Sequence, residues 1–222
     1  MQISYQIHRA GTWHKCHEVR IQRKPIGNRS DSKMRDWVGN ASVRNCNLRR
    51  LDAEPNDYYA THPRAVELLL DQETFSKDIW EPACGEGHLS KVLEARNHRV
   101  LSNDLINRGY GWGGVDFLEC KEPFDGDIIT NPPYKVAKEF VEKVLELVTP
   151  GQKVAMFLKL TFLEGQGRRT LFRERPPQRV YVSSARLQCG KNGDFSGTSM
   201  VAYAWYVWEK GHYGPCELKW IN

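Results

Sequence analysis

No apolar run in the 222-residue chain approaches the roughly 20 residues that cross a bilayer, so no membrane helix is expected. The start, Met1-Gln2-Ile3-Ser4-Tyr5-Gln6-Ile7-His8-Arg9, has no continuous apolar core and does not read as a secretory signal. There is no Cys-x-x-Cys pair. The six cysteines (Cys16, Cys46, Cys84, Cys120, Cys189, Cys216) stand singly, and a chain of this length needs no disulfide staples. Free thiols in a reducing cytoplasm are the expectation. His14, Cys16, His17 and Cys46 match no standard finger spacing, so no metal is expected. No Gly-Lys-Ser/Thr follows a glycine-rich stretch, which excludes a Walker phosphate loop. Internal repeats are absent too.

What is present fits one globular core, with 40% hydrophobic and 11% aromatic residues. The net charge of +5 is unevenly spread. Residues 1–50 hold eleven Lys/Arg against Glu18, Asp31 and Asp36, a balance of +8, which leaves 5 − 8 = −3 for the rest. A basic arm on a near-neutral body suits a nucleic-acid partner. Residues 1–54 lack sustained periodicity and carry turn formers such as Pro25-Ile26-Gly27-Asn28. They are expected to be a poorly ordered arm; an alternative is that translation begins later, at Met34. Residues 55–222 form the folded domain.

Thr61 can cap a helix with Pro63 in its first turn and Val66, Leu69 and Leu70 on one face. Residues 75–80 read as a short strand running into Glu81-Pro82-Ala83-Cys84-Gly85-Glu86-Gly87, with Leu89, Val92 and Leu93 at helical spacing behind it. Residues 99–104 read as a second strand ending on Asp104, and residues 125–130 as a strand that stops at Asn131. Residues 135–148 are the clearest helix, with Ala137, Phe140, Val141, Val144 and Val148 on one face. Strands follow at 153–160, 179–187 and 200–208, the last two joined by a Gly/Ser-rich stretch. Such alternation, closed by a strand pair, predicts an α/β sheet, parallel first and antiparallel at its C-terminal edge.

A Gly-x-Gly between strand and helix lets a ligand approach backbone closely. Here Glu81-Pro82-Ala83-Cys84 precedes Gly85-Glu86-Gly87, unlike the Gly-x-Gly-x-x-Gly of dinucleotide loops. A carboxylate at Glu81 sits badly beside a pyrophosphate but suits a cofactor that carries an amine and a sulfonium. Asp104, at the end of the next strand, can accept both hydroxyls of a ribose. Asp116 and Phe117 can offer a carboxylate to an adenine amino group and an apolar wall to its ring.

Asn131-Pro132-Pro133-Tyr134 suits attack by an exocyclic amine. The lone pair of such an amine is delocalised into its ring, so the nitrogen must move toward tetrahedral geometry before it attacks. Two acceptors favour that change: the Asn131 side-chain oxygen and the Pro132 carbonyl. Consecutive prolines fix φ and keep that carbonyl out of a sheet ladder. Tyr134 can stack on the base.

On these two motifs the chain resembles the amino-group methyltransferases of the Rossmann-like class, especially prokaryotic and phage-type DNA adenine-N6 methyltransferases. The resemblance spans about residues 55–210. It implies a three-layer, mostly parallel sheet, S-adenosylmethionine as cofactor, DNA as partner, and the cytoplasm of a bacterial or phage-infected cell. Asp57-Tyr58-Tyr59-Ala60-Thr61-His62-Pro63 looks like the family segment that closes over the methionine part of the ligand. By that likeness Tyr59, Thr61, Glu81, Pro82, Ala83, Gly85, Gly87, Asp104, Asp116, Phe117 and Asn131 bind cofactor. Glu81 would meet the methionine amine, Asp104 the ribose and Asp116 the cofactor adenine. Asn131, Pro132, Pro133 and Tyr134 would serve the target base. Cytosine-C5 enzymes use a Pro-Cys dipeptide, and here only Cys216 follows a proline.

One departure concerns recognition. Relatives with this motif order carry a target-recognition domain after the tetrapeptide, whereas 88 residues follow Tyr134 and the sheet takes most of them. Between residues 165 and 191 stand Arg168, Arg169, Arg173, Arg175, Arg179, Arg186 and Lys191 against Glu174 alone. These cations can track phosphates. Residues 190–197 are expected to be a mobile loop over the pocket, with Phe195 available for stacking. Arg168, Arg169, Lys191, Phe195 and Tyr134 are thus the substrate-side residues. Other acceptors remain open: an RNA base, a protein glutamine amide, or an inactive fold that only binds nucleic acid. Oligomeric state is not legible.

Overall fold

The computed structural model describes residues 5–7, 13–15, 58–191, 193–196 and 201–222. In the N-terminal arm, β1 (Tyr5–Ile7) pairs antiparallel with β2 (Trp13–Lys15). The rest of that arm, with Cys16, His17 and Cys46, and residues 55–57 with Asp57 lie outside the described residues.

The body is built on β3 (Tyr59–Thr61), α1 (Pro63–Leu70), β4 (Asp78–Glu81), α2 (His88–Ala95), β5 (Arg99–Asp104), β6 (Trp112–Gly113) and β7 (Asp127–Thr130). There follow α3 (Ala137–Leu147), β8 (Lys153–Lys159), α4 (Arg169–Glu174), β9 (Arg179–Ser183), β10 (Cys189–Lys191), β11 (Tyr203–Glu209) and β12 (Glu217–Ile221). The eight-stranded central sheet has the order β12-β9-β11-β8-β7-β4-β5-β6. From β4 the chain steps outward through β5 to β6, then crosses back to β7 and β8. The switch point therefore lies between β4 and β7, where open α/β sheets make their ligand crevice.

Sequence alternation explains the layers. In β8, Val154, Met156 and Leu158 pack into one apolar cluster, and Ala155 and Phe157 pack into the other. In β11, Ala204, Tyr206 and Trp208 alternate in the same way with Tyr203, Trp205 and Val207. Period 2 on both faces requires cover on both sides. On one side lies α3, with Phe140, Val141 and Val144; on the other lie α1 and α2, with Val66, Leu69, Leu89 and Leu93. The three-layer α/β fold is the expected one.

Several boundaries differ from the sequence reading. The antiparallel strand, β11, is inserted between β8 and β9, and the outermost β12 runs parallel to β9. β12 has no counterpart in the sequence reading, because four of its five residues are exposed and no apolar pattern marks it. β4 starts at Asp78, later than expected, because Ser76 turns off to donate its backbone N–H to Asp127. Thr61 closes β3 with its side chain buried; His62 caps α1, its Nδ1 accepting from Arg64 N at 3.1 Å. Residues 190 and 191, expected in a mobile loop, are strand: β10 pairs antiparallel with β3, Cys189 opposite Thr61 and Lys191 opposite Tyr59. Beyond them Asp194 Oδ1 accepts from Ser196 N at 2.9 Å. No described helix is long and apolar enough to cross a membrane. Cys84, Cys120, Cys189 and Cys216 are free thiols.

Candidate functional site

The carboxyl ends of β4 and β5 carry Glu81 and Asp104, and Asn131 follows β7 directly. Parallel pairing brings these three to one edge of the sheet. A cavity of about 290 Å³ opens there, lined among others by Tyr59, Thr61, Glu81, Ala83, Asp104, Asn131 and Pro133.

Glu81 is buried on the floor and accepts a hydrogen bond from Ser90 Oγ, which also meets Ser102 Oγ at 2.6 Å. Burial pushes the Glu81 carboxyl well above the usual range, and the charges of Asp104 and Glu94 push the same way against the Ser90 bond. An entering cation would relieve both effects. Asp104 accepts Gly85 N at 2.9 Å on Oδ2 and Ile106 N at 2.8 Å on Oδ1, which fixes the carboxylate at the cavity wall. Leu105 and Ile106, just past β5, are 58% and 37% exposed and line the same cavity.

The glycine loop behaves differently from a bare cradle. Gly85 and Gly87 have φ of +56° and +79°, so both adopt the left-handed region that disfavours other residues. A Cβ on Gly85 would meet the Tyr58 ring at 2.3 Å, and one on Gly87 the Tyr110 ring at 2.5 Å. Tyr58 Oη accepts from Glu86 N at 3.3 Å, and the Arg108 guanidinium lies 4.2 Å above the Tyr58 ring. Tyr58 and Arg108 both line the cavity.

Asn131 is oriented by its amide nitrogen, which donates to the Tyr59 carbonyl at 2.7 Å and contacts Cys189 Sγ at 3.7 Å. Its Oδ1 is enclosed and has no hydrogen-bond partner. An enclosed acceptor without a donor is unusual and points to a ligand donor. Pro133 turns the chain into α3, its carbonyl accepting Val136 N at 3.1 Å. The Tyr134 hydroxyl lies 3.1 Å from Cys189 Sγ, and burial raises its pKa well above the normal phenol value. Its ring packs against Tyr59 and Tyr203 at 6.0 and 5.6 Å, with the Lys159 ammonium 4.5 Å above it.

The other expected residues are dispersed. Asp116 caps the short turn of helix at 117–119 by accepting Leu118 N at 3.0 Å. Phe117 is a core residue, edge-on to Trp80 at 5.1 Å, and neither residue lines the cavity. Arg168 donates to the carbonyls of Thr161, Phe162 and Glu164, so its guanidinium braces the turn after β8. Arg169 is exposed at the start of α4. Phe195 packs edge-on against His62 and His88 at 4.9 and 5.8 Å, and His88 lines the cavity. Lys191 contributes backbone to β10. Sequence reasoning missed Leu105, Ile106, Arg108 and Cys189. For the first two a signal existed: apolar residues directly after a strand-ending acid.

No protein-family model matches the chain, and no curated protein matches it in sequence. Solved structures do match in fold. A protein described as a class I S-adenosylmethionine-dependent methyltransferase from Listeria monocytogenes superposes with a TM-score of 0.52 at 14% identity, over 80% of this chain and 70% of that one. A protein described as an RNA methyltransferase from Pyrococcus horikoshii gives 0.50 at 16% identity, over 70% and 87%. A modification subunit described for a type I restriction enzyme of Vibrio vulnificus gives 0.50 at 12%, over 79% of this chain and 49% of that one. The fold is that of the class I methyltransferases.

Proposed function

We propose that the protein is an S-adenosylmethionine-dependent N-methyltransferase acting on the exocyclic amine of a nucleobase, adenine N6 in DNA. The observation that carries this is the Asn131 amide: its nitrogen is spent on the Tyr59 carbonyl, and the enclosed Oδ1 of this cavity-lining residue has no hydrogen-bond partner. An acceptor fixed in that way takes one hydrogen of an attacking amine and draws the nitrogen out of conjugation.

The cavity suits the cofactor. Glu81, on a buried floor, would pair with the amino-acid ammonium, and Asp104 would take the ribose hydroxyls, with Leu105 and Ile106 as the apolar wall for the adenine ring. When bound, the group supplies a methyl on a sulfonium sulfur that receives the departing electron pair. The chain's own part is alignment: Asn131 Oδ1 orients the nitrogen, whose lone pair forms the new N–C bond. The nitrogen sheds its proton afterwards, so no strong base is needed.

The test is a panel of acceptors with methyl-labelled cofactor: single-stranded and duplex DNA, tRNA, rRNA and a glutamine peptide. Label in N6-methyldeoxyadenosine is the expected result. Label only in RNA or only in peptide overturns the DNA assignment. No label, together with no calorimetric binding of cofactor at millimolar concentration, supports the inactive-fold alternative.

A further inference from the structure

Tyr59 presents its backbone and its ring to different partners. Its carbonyl fixes the Asn131 amide, while its ring lies 6.0 Å from that of Tyr134 with 28° between the planes. The two rings form a shallow wedge next to Asn131, whose amide nitrogen meets the Tyr59 carbonyl and the Cys189 thiol that Tyr134 also touches, and whose Oδ1 is unpartnered. A flat base between two rings needs about one stacking distance of ~3.4 Å on each side, or roughly 6.8 Å between the rings. With centroids 6.0 Å apart and 28° between the planes the rings stand closer than that, so a base enters only as the wedge opens.

The fold permits that movement on one side and resists it on the other. Tyr134 packs against Tyr203 of β11 and lies under Lys159 of β8, both strands of the central sheet. Tyr59 belongs to the two-stranded β3–β10 ribbon, which is separate from the eight-stranded sheet. A turn of the Tyr59 side chain opens the wedge while its carbonyl stays on Asn131 and the central sheet's ladder stays intact.

We infer that Tyr59 and Tyr134 are the two walls of a slot for the target base, which moves Tyr59 from the cofactor side to the acceptor side. The inference rests on the amine-methylation reading and narrows it. Two facing rings favour a planar heteroaromatic amine, and an aliphatic glutamine amide gains little from them.

The experiment uses the full-length chain with Tyr59→Leu, Tyr59→Phe and Tyr59→Trp. Kinetics are measured on an adenine-containing oligonucleotide, DNA and RNA in parallel, and S-adenosylhomocysteine affinity by calorimetry. Leucine keeps bulk and apolarity but removes the ring face. The expected result for Tyr59→Leu is a KM for the oligonucleotide raised on the order of tenfold to a hundredfold. Tyr59→Phe should bring KM back to within about threefold of wild type, with S-adenosylhomocysteine affinity changed by less than about twofold throughout. An oligonucleotide with 2-aminopurine in place of adenine should be quenched by the wild-type chain and brighter on Tyr59→Leu.

An unchanged KM in Tyr59→Leu, or a loss of cofactor affinity as large as the rise in KM, overturns the slot and leaves the methylation reading standing. Should the leucine chain fail to fold, Tyr59→Trp decides: a lowered KM supports the slot, and an unchanged one overturns it. A wild-type chain that binds cofactor but methylates no nucleic acid overturns the reading itself, and the slot with it.

Discussion

The amide of Asn131 has two ends with different fates, since Nδ2 is held at 2.7 Å by the Tyr59 carbonyl and Oδ1 faces no donor. Asn131→Ala removes the acceptor and leaves Glu81 and Asp104 in place. Turnover should then fall by roughly a hundredfold to a thousandfold, as when a donor or acceptor aimed at a transition state is removed. S-adenosylhomocysteine affinity should change by less than about threefold, checked by calorimetry beside single-turnover rates. A parallel fall in affinity would place Asn131 at the cofactor instead. Glu81 gives a prediction in pH. Burial raises its folded-state pKa, so the stability linked to it is full below the unfolded carboxyl value of about 4.3 and is lost as pH rises through the raised value. The ligand-free chain should therefore melt at lower temperature as pH climbs. Glu81→Gln, neutral throughout, should show a flatter profile. S-adenosylhomocysteine, whose ammonium pairs with the carboxylate, should flatten the wild-type profile and protect Glu81→Gln much less. A variant whose melting tracks wild type at every pH would refute the linkage.

Between elements, the strongest polar tie lies at the opposite end of β8 from the site. Glu73, just beyond α1, is 6% exposed. It accepts from Lys153 Nζ at 2.7 Å at the start of β8, from Arg179 Nε and Nη2 at the start of β9, and from Tyr181 Oη at 2.8 Å. Burial works to raise its pKa, but the bonds from Arg179, Lys153 and Tyr181 outweigh it and hold the carboxyl below the usual value. The stability it contributes is present above the unfolded pKa and is lost as pH falls through the lowered one. Glu73→Gln leaves the mostly buried Lys153 and Arg179 without their nearest counter-charge, a change worth up to about 3–5 kcal/mol. Melting should drop by roughly 6–20 °C, with turnover at low temperature nearly intact. A shift of under about 2 °C would show that the cations find water or other partners. Nothing in Gln72-Glu73-Thr74 marks this role, because its partners stand 80 and 106 residues away. The same reason hides Cys189, 58 residues from the Asn131 it touches. By contrast α3 and β8 were legible, since a continuous apolar face is a local property. The place of the loop at 81–87 and of the tetrapeptide at 131–134 was legible because each is contiguous and follows a strand, and the strand ends meet at one cavity. Phe117 was misread because an aromatic after a short strand looks the same whether it faces a ligand or Trp80. The insertion of β11 between β8 and β9 was not legible either, since all three strands are apolar on both faces and pattern alone does not set their order.

At the scale of the molecule, the described residues from 58 onward are the eight-stranded sheet, its helices, the β3–β10 ribbon and the short connections between them, and the crevice at the β4–β7 switch point is where the motifs meet. Little described chain is left over for a separate element that reads base sequence. Two of the cations expected to follow the backbone are already committed, Arg168 to carbonyls and Arg179 to Glu73. The largest excess of positive charge is then that of residues 1–50, with eleven Lys/Arg against three acids. If this excess neutralises most of the phosphates, affinity for nucleic acid follows charge rather than sequence. Replacing five of those eleven cations by Gln should lower the slope of log affinity against log salt by about 0.7–0.9 for each phosphate no longer neutralised. Cofactor affinity should not move, and methylation of duplexes differing by one base pair should differ by less than the ~1–3 kcal/mol per mismatch that site-specific readers show. Binding and methylation titrations from about 50 to 200 mM salt would measure both. An unchanged slope would transfer phosphate binding to the folded body, where Arg169 and Arg173 are the exposed cations of α4. A steep single-base preference would instead require base recognition from the rim of the crevice, where Phe195 packs on the cavity-lining His88.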